Sequence, residues 1–295
     1  MQLCCVELDG GPQAAIHLDG MLYLLMDVCH QAGVEVDSLR GKPVAEQILA
    51  IANSPGLRAK LLEHLSQTPG LPERDIRYGV PVNGPIIGVG RNYQDHVSEG
   101  GLKLGDYPKI FFNHPNSLAA HDQDILIPKL IQKTDWEAEL GVVIGRRMRR
   151  VSPEHALTYV AGFINVNDVS AREFQFDFGP AQTSFAKSMD GFCPCGPWLV
   201  TSDEIDNCQN LSVRCEVNAE LMQNGHTSHM IYSVAEILSH LSTYMTLEPG
   251  YLIATGTPKG VGHFLNPPQY LQHGDVVTVS VSHLGVLRNR FVKEI

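Results

Sequence analysis

The chain has 295 residues, 43% of them hydrophobic and 18% charged, enough for one large domain or a large domain with a small partner. Its formal net charge of −10 argues against nucleic-acid phosphates and acidic membrane surfaces as partners, but not against acidic small molecules, whose binding local cations and metals decide. The start carries no secretory pattern, the apolar run Met21 to Met26 is too short to span a bilayer, and the seven cysteines form no Cys-x-x-Cys pair or zinc array. A cytoplasmic protein with reduced thiols and no membrane contact is expected.

In chain order, strands are expected at Gln2–Leu8, Gln13–Leu18 and Leu22–Met26, separated by the hairpin signals Asp9-Gly10-Gly11 and Asp19-Gly20. Helical patterns follow around Val44–Ala52 and Leu57–Leu65. The breaker-dense stretch from Thr68 to Asp75 then sets a boundary, giving a small N-terminal αβ module over residues 1–75 and a catalytic domain over 81–295. Beyond Pro81 the pattern predicts strands at Pro85–Gly90, Lys109–Phe112, Ile125–Pro128, Glu137–Ile144, Leu211–Val217, Tyr251–Thr255 and Val276–Val281. Ser152 before Pro153 opens a helix to about Tyr159, and Ser233 with Glu236 forms a capping box opening Val234–Tyr244. The expected class is α+β, rich in β.

Two glycine-rich loops carry little weight as nucleotide sites. Gly88-Val-Gly90 has Tyr93 where a dinucleotide fingerprint needs its third glycine, and the Thr255 to Gly262 loop has no Gly-Lys-Ser/Thr step into a helix. The acidic residues say more. Glu137 and Glu139, two apart in a strand, project to one side and are followed by an apolar run that implies burial. With Asp168 they make an oxygen-only set suited to Mg²⁺ or Mn²⁺, although Glu-x-Glu also occurs on solvated strand faces. His96 and Glu99, three apart, share a face if one helical turn forms; the carboxylate would then orient the imidazole as a general base. The alternative is an exposed pair in a loop.

Taken together, Gly88 to Glu99, Trp136 to Ile144, Gly162 to Gln175, Ala186 to Phe192, Gly225 to Met230 and Leu247 to Gly262 resemble, in order, the motifs of the fumarylacetoacetate hydrolase family. The resemblance implies a β-roll catalytic domain, a homodimer, and Mg²⁺ or Mn²⁺ on Glu137, Glu139 and Asp168. It also implies water activation by His96 and Glu99, and oxyanion stabilisation by Arg172, Gln175 and Lys187. Arg91, Tyr93 and the Thr255-Gly256-Thr257 loop are expected to contact the substrate. One departure stands out: many members have a lysine where this chain has His114, or Asn113 on an alternative alignment, and His114 is expected to face the substrate in its place. The implied activity is metal-dependent hydrolysis of a carbon–carbon bond in a small 2,4-dioxo acid of the acylpyruvate or fumarylpyruvate type. An oxaloacetate-type decarboxylase, a hydroxymuconate-type isomerase and a catalytically silent ligand-binding protein are the alternatives.

Overall fold

The computed structural model describes residues 1–103 and 105–295. A 12-stranded sheet forms its centre, and a 5-stranded sheet packs against part of it. In the large sheet the strand Ala138–Ile144 lies between Val160–Asn167 and Leu252–Ala254, and the latter runs parallel to Ile86–Gly90. Lys109–Asn113 closes that side, antiparallel to Ile86–Gly90. Every residue of Ala138–Ile144, Val160–Asn167 and Cys193–Thr201 is buried. Such two-sided burial explains why Leu140 to Ile144 reads as a continuous apolar run rather than an alternating one.

The two faces of Ala138–Ile144 serve different cores. Ala138, Leu140, Val142 and Ile144 join Val213, Val279 and Val281 of the 5-stranded sheet, while Val143 joins Ile48, Ile51 and Leu61 from the N-terminal helices. Residues 1–75 are thus built onto the sheet that carries the site. Gln2–Leu8 pairs with Cys193–Thr201 on one side and Gly11–Leu18 on the other, and Asn53 donates to the Gly145 carbonyl at 2.7 Å.

Most predicted elements appear close to their expected bounds, including the helix Val44–Ala52 and the full Ser233–Glu236 capping box before Val234–Tyr244. The strands Val160–Asn167, Glu220–His226 and Leu287–Lys293 are not among those expected, and three further points differ. The third strand ends at Leu24, and Leu25–Gln31 is a helix whose buried Leu25, Val28 and Cys29 follow helical spacing; a six-residue apolar run does not distinguish the two. Ser152 stands at the start of Pro153–Ala156, but its side chain caps no backbone N–H. The strand Cys193–Thr201 is masked in the sequence by Pro194, Gly196 and Pro197, ordinarily strand breakers; Gly196 and Pro197 fall where its pairing with Val160–Asn167 shifts register, and Pro194 lies opposite Ala119. All seven cysteines are free and buried, and no helix among the described residues is long and apolar enough to cross a membrane.

Candidate active site

Glu137 immediately precedes the strand Ala138–Ile144, Glu139 is its second residue, and Asp168 follows the end of the neighbouring strand Val160–Asn167. The register Ala138 opposite Asn167 places these ends side by side. One oxygen from each of Glu137, Glu139 and Asp168 lies within 4.8 Å of the others, and all three residues are buried.

Two cations are threaded into the cluster. Lys187 Nζ donates to Glu137 Oε2 at 2.7 Å and to the Asp168 carbonyl at 2.9 Å, and sits 2.8 Å from Asp168 Oδ2. Arg172 pairs through Nη1 with Glu137 at 2.8 Å and donates from Nε to Asp135 Oδ2 at 2.8 Å. Asp135 was not singled out in the sequence, yet its carboxylate also accepts the backbone N–H groups of Trp136, Gly262 and His263. It therefore fixes Arg172 and ties the Gly262 turn to the site.

The charges of the cluster do not balance. Four buried carboxylates (Asp135, Glu137, Glu139, Asp168) face two buried cations (Arg172, Lys187), leaving −2 if all are ionised. Burial, followed by the charges of Asp168 and Glu137, raises Glu139 well above the ordinary glutamate range. Burial also raises Asp168, against the pull of Lys187. Burial pushes Glu137 the same way, but Lys187 and Arg172 outweigh it and hold the group at about 2. Asp168 Oδ2, although close to Lys187, makes no hydrogen bond of good geometry. Excess negative charge, an unsatisfied carboxylate oxygen and an all-oxygen donor set fit a hard divalent cation, Mg²⁺ or Mn²⁺.

Next to the carboxylates stands the expected His–Glu pair. The turn does form, as the helix Gln94–Glu99, and places His96 Nδ1 2.9 Å from Glu99 Oε1. Glu99 is held in turn by the Gly260 N–H, which donates to Oε2 at 2.9 Å. A proton on Nδ1 facing Glu99 leaves Nε2 as the acceptor. A hollow of about 100 Å³ joins the groups: His96, Glu137, Glu139, Arg172, Gln175 and Lys187 line it together with Arg91 and Thr257. Gln175 accepts from Arg172 Nη1 at 2.8 Å, whereas the buried Arg172 Nη2 has no partner.

Other expected contacts fall elsewhere. Thr255 spends its hydroxyl on the Leu140 carbonyl and Gly256 donates its N–H to Glu139 Oε2, so this loop holds a metal-ligand candidate; Thr257 alone of the three lines the hollow. Gly256 is required there: its φ is +101°, and a Cβ would lie 2.7 Å from that of Asn92. Tyr93 is fully buried behind the site, with no partner for its hydroxyl, and is not part of the wall. His114 is exposed outside the hollow, its Nδ1 accepting from the Asn116 N–H at 3.2 Å. Strand alternation gives the reason. In Lys109–Asn113 the odd positions turn to the site: Lys109 and Phe111 line the hollow and Asn113 donates to Asp168 at 2.9 Å. Phe112 is exposed on the other face, and His114 follows beyond the strand.

A wider hollow of about 1140 Å³ opens between residues 73–80 and 120–124, but its charges are largely paired, as in Arg288 with Asp122 at 2.8 Å, and among the described residues it holds no comparable cluster.

These features define a class: a β-rich chain with a buried three-carboxylate site beside a His–Glu pair. The family profile described as fumarylacetoacetate (FAA) hydrolase, C-terminal, matches residues 85–292, and the chain belongs to that family. It is 45% identical over 223 residues to a 2,4-didehydro-3-deoxy-L-rhamnonate hydrolase of Sphingomonas sp., covering 75% of this chain and 78% of that protein. It is 38% identical over 229 residues to a mitochondrial oxaloacetate tautomerase of Homo sapiens, covering 77% and 73%. Among solved structures, the fumarylacetoacetate hydrolase of psychrophilic Exiguobacterium antarcticum superimposes with a TM-score of 0.81 at 34% identity, over the whole of both chains.

Proposed function

We propose that this protein hydrolyses a carbon–carbon bond in small 2,4-dioxo acids with the help of Mg²⁺ or Mn²⁺. The observation that carries the reading is the His96–Glu99 pair at 2.9 Å, opening on the same hollow as Glu137 and Glu139. A divalent cation held by Glu137, Glu139 and Asp168 would polarise the 2-oxo group and stabilise the enolate that departs. His96 Nε2 takes a proton from water, and Glu99, fixed by Gly260, stabilises the resulting imidazolium. The water oxygen bonds to the 4-carbonyl carbon, and Arg172, which lines the hollow, offers an N–H to the oxygen that becomes negative. Gln175 steadies Arg172, and Lys187 balances Glu137 and Asp168. The C3–C4 bond then breaks, its electron pair goes to the 2-oxo fragment, and His96 returns the proton.

A tautomerase reading keeps the carboxylates and needs no attack by water; the 38% identity to an oxaloacetate tautomerase speaks for it. The test is a screen of acylpyruvates and oxaloacetate with Mg²⁺ or Mn²⁺, with cleavage products identified by mass spectrometry and enol–keto exchange followed by ultraviolet absorbance. Hydrolysis predicts paired 2-oxo acid and carboxylic acid products, abolished by chelator. Enol–keto interconversion without cleavage would replace hydrolysis by the second reading.

A further inference from the structure

The hollow that holds the chemical groups has a volume of about 100 Å³, smaller than the ~150 Å³ cavity that takes one benzene ring. It suits the head of a 2-oxo acid and little more. A second hollow of about 350 Å³ adjoins it and shares three lining residues with it, Gly90, Arg91 and Lys109. A substrate longer than its 2-oxo head has this direction in which to extend.

The second hollow has a one-sided charge. Arg91, Lys103 and Lys109 line it, with Tyr107 and Tyr232, and no carboxylate is in the wall, although the chain as a whole carries −10. Arg91 is held in place by donating from Nη1 to the Lys103 carbonyl at 3.1 Å. Lys109 is directed by the sheet. It pairs with Gly90 across Ile86–Gly90 and Lys109–Asn113, and its stem lies over the glycine: a Cβ at Gly90 would sit 3.4 Å from Lys109 Cδ. Among the described residues its ammonium has a single long hydrogen bond, to Thr183 Oγ1 at 3.3 Å, and no carboxylate partner. Desolvation, then the charges of Arg91 and Lys187, lower its pKa against an opposing pull from Glu137.

From this geometry we infer that Lys109, with Arg91, recognises a second anionic group at the far end of the substrate, so that the preferred substrates are dianionic 2-oxo acids. The inference rests on the 2-oxo-acid reading above but not on carbon–carbon cleavage. It supplies, from position 109, the substrate-facing cation that His114 does not provide.

Binding alone tests it. With Mg²⁺ present, calorimetric titration of 2-oxohexanoate and 2-oxoadipate, equal in chain length and differing by one carboxylate, should show about tenfold or greater preference for the dianion. Lys109→Met should bring the ratio of the two dissociation constants close to one, and Lys109→Arg should keep most of it. Salt at ~0.5 M should shrink the wild-type preference, because this pair is open to solvent. Circular dichroism checks that the variants remain folded. Equal affinity of the wild type for both acids, an undiminished preference in Lys109→Met, or no binding of either acid would overturn the inference. A protein that prefers 2-oxoadipate but cleaves no acylpyruvate retains it and loses the hydrolase reading. One that cleaves acylpyruvates without preferring the dianion does the reverse.

Discussion

Replacing Asp135 with Asn tests whether the site is held together from beneath. The carboxylate is fully buried, accepts Arg172 Nε at 2.8 Å, and receives three backbone N–H groups at 2.7–2.9 Å. Asparagine has the same shape but no charge, and its NH₂ must confront one of those donors. Breaking a buried ion pair on one side costs ~3–5 kcal/mol, since the remaining charge stays desolvated. Unfolding entropy of ~2.1 cal/mol/K per residue gives ~0.6 kcal/mol/K for a chain of 295 residues, so the melting temperature should fall by about 5–8 °C. Arg172 would also lose the anchor that holds its guanidinium at the edge of the hollow, and turnover should drop ~10²-fold, as for a lost oxyanion donor. Thermal melts by circular dichroism and steady-state kinetics on the substrate found by the product screen measure the two effects. A variant melting within about 2 °C of the parent would refute the argument, because a solvated or unneeded Asp135 is the remaining explanation.

Three further outcomes are expected. His96→Ala should lose ~10²–10⁴-fold in hydrolysis while still binding metal, and Glu99→Gln less; parent-level hydrolysis by His96→Ala would make the pair structural. His114→Ala should leave KM for mono- and dianionic substrates unaltered, since the ring lies outside the hollow; a KM change confined to the dianion would return it to the site. The third concerns pH. Glu139 and Asp168 are raised, so above about pH 4.5 the folded chain without metal retains protons that the unfolded chain has released, and stability falls as pH rises. Glu137, held at about 2, acts oppositely: its contribution is complete above the ordinary glutamate range and is lost as pH falls toward 2. Mg²⁺ takes the place of the retained protons, so it should raise the melting temperature more at pH 8 than at pH 5, and Glu139→Ala should remove that difference. An equal metal effect at both pH values would count against the carboxylate cluster as the binding site.

The parts of the site that could be read from the sequence are those whose partners are near in the chain or lie within one motif. His96 and Glu99 needed only a helical turn, and Glu137 and Glu139 only adjacent backbone. Asp135 could not be read in this way. A lone aspartate before a tryptophan gives no sign that its partner is Arg172, 37 residues on, because strand pairing between Thr134–Asp135 and Ser170–Ala171 brings them together. The Thr255-Gly256-Thr257 motif shows hydroxyl and amide groups that look free for substrate, but folding commits two of them, to the Leu140 carbonyl and the Glu139 carboxylate. The lysine question has a different origin. A motif records which residue types occupy a position, whereas the period of two decides which side chains reach the hollow. Lys109, Phe111 and Asn113 fall on the site face of their strand, and Lys109 gains room because its cross-strand neighbour is Gly90. The motif pointed to position 114 or 113: the strand has ended at the first, the second donates to Asp168, and the lysine on the site face of this strand is Lys109.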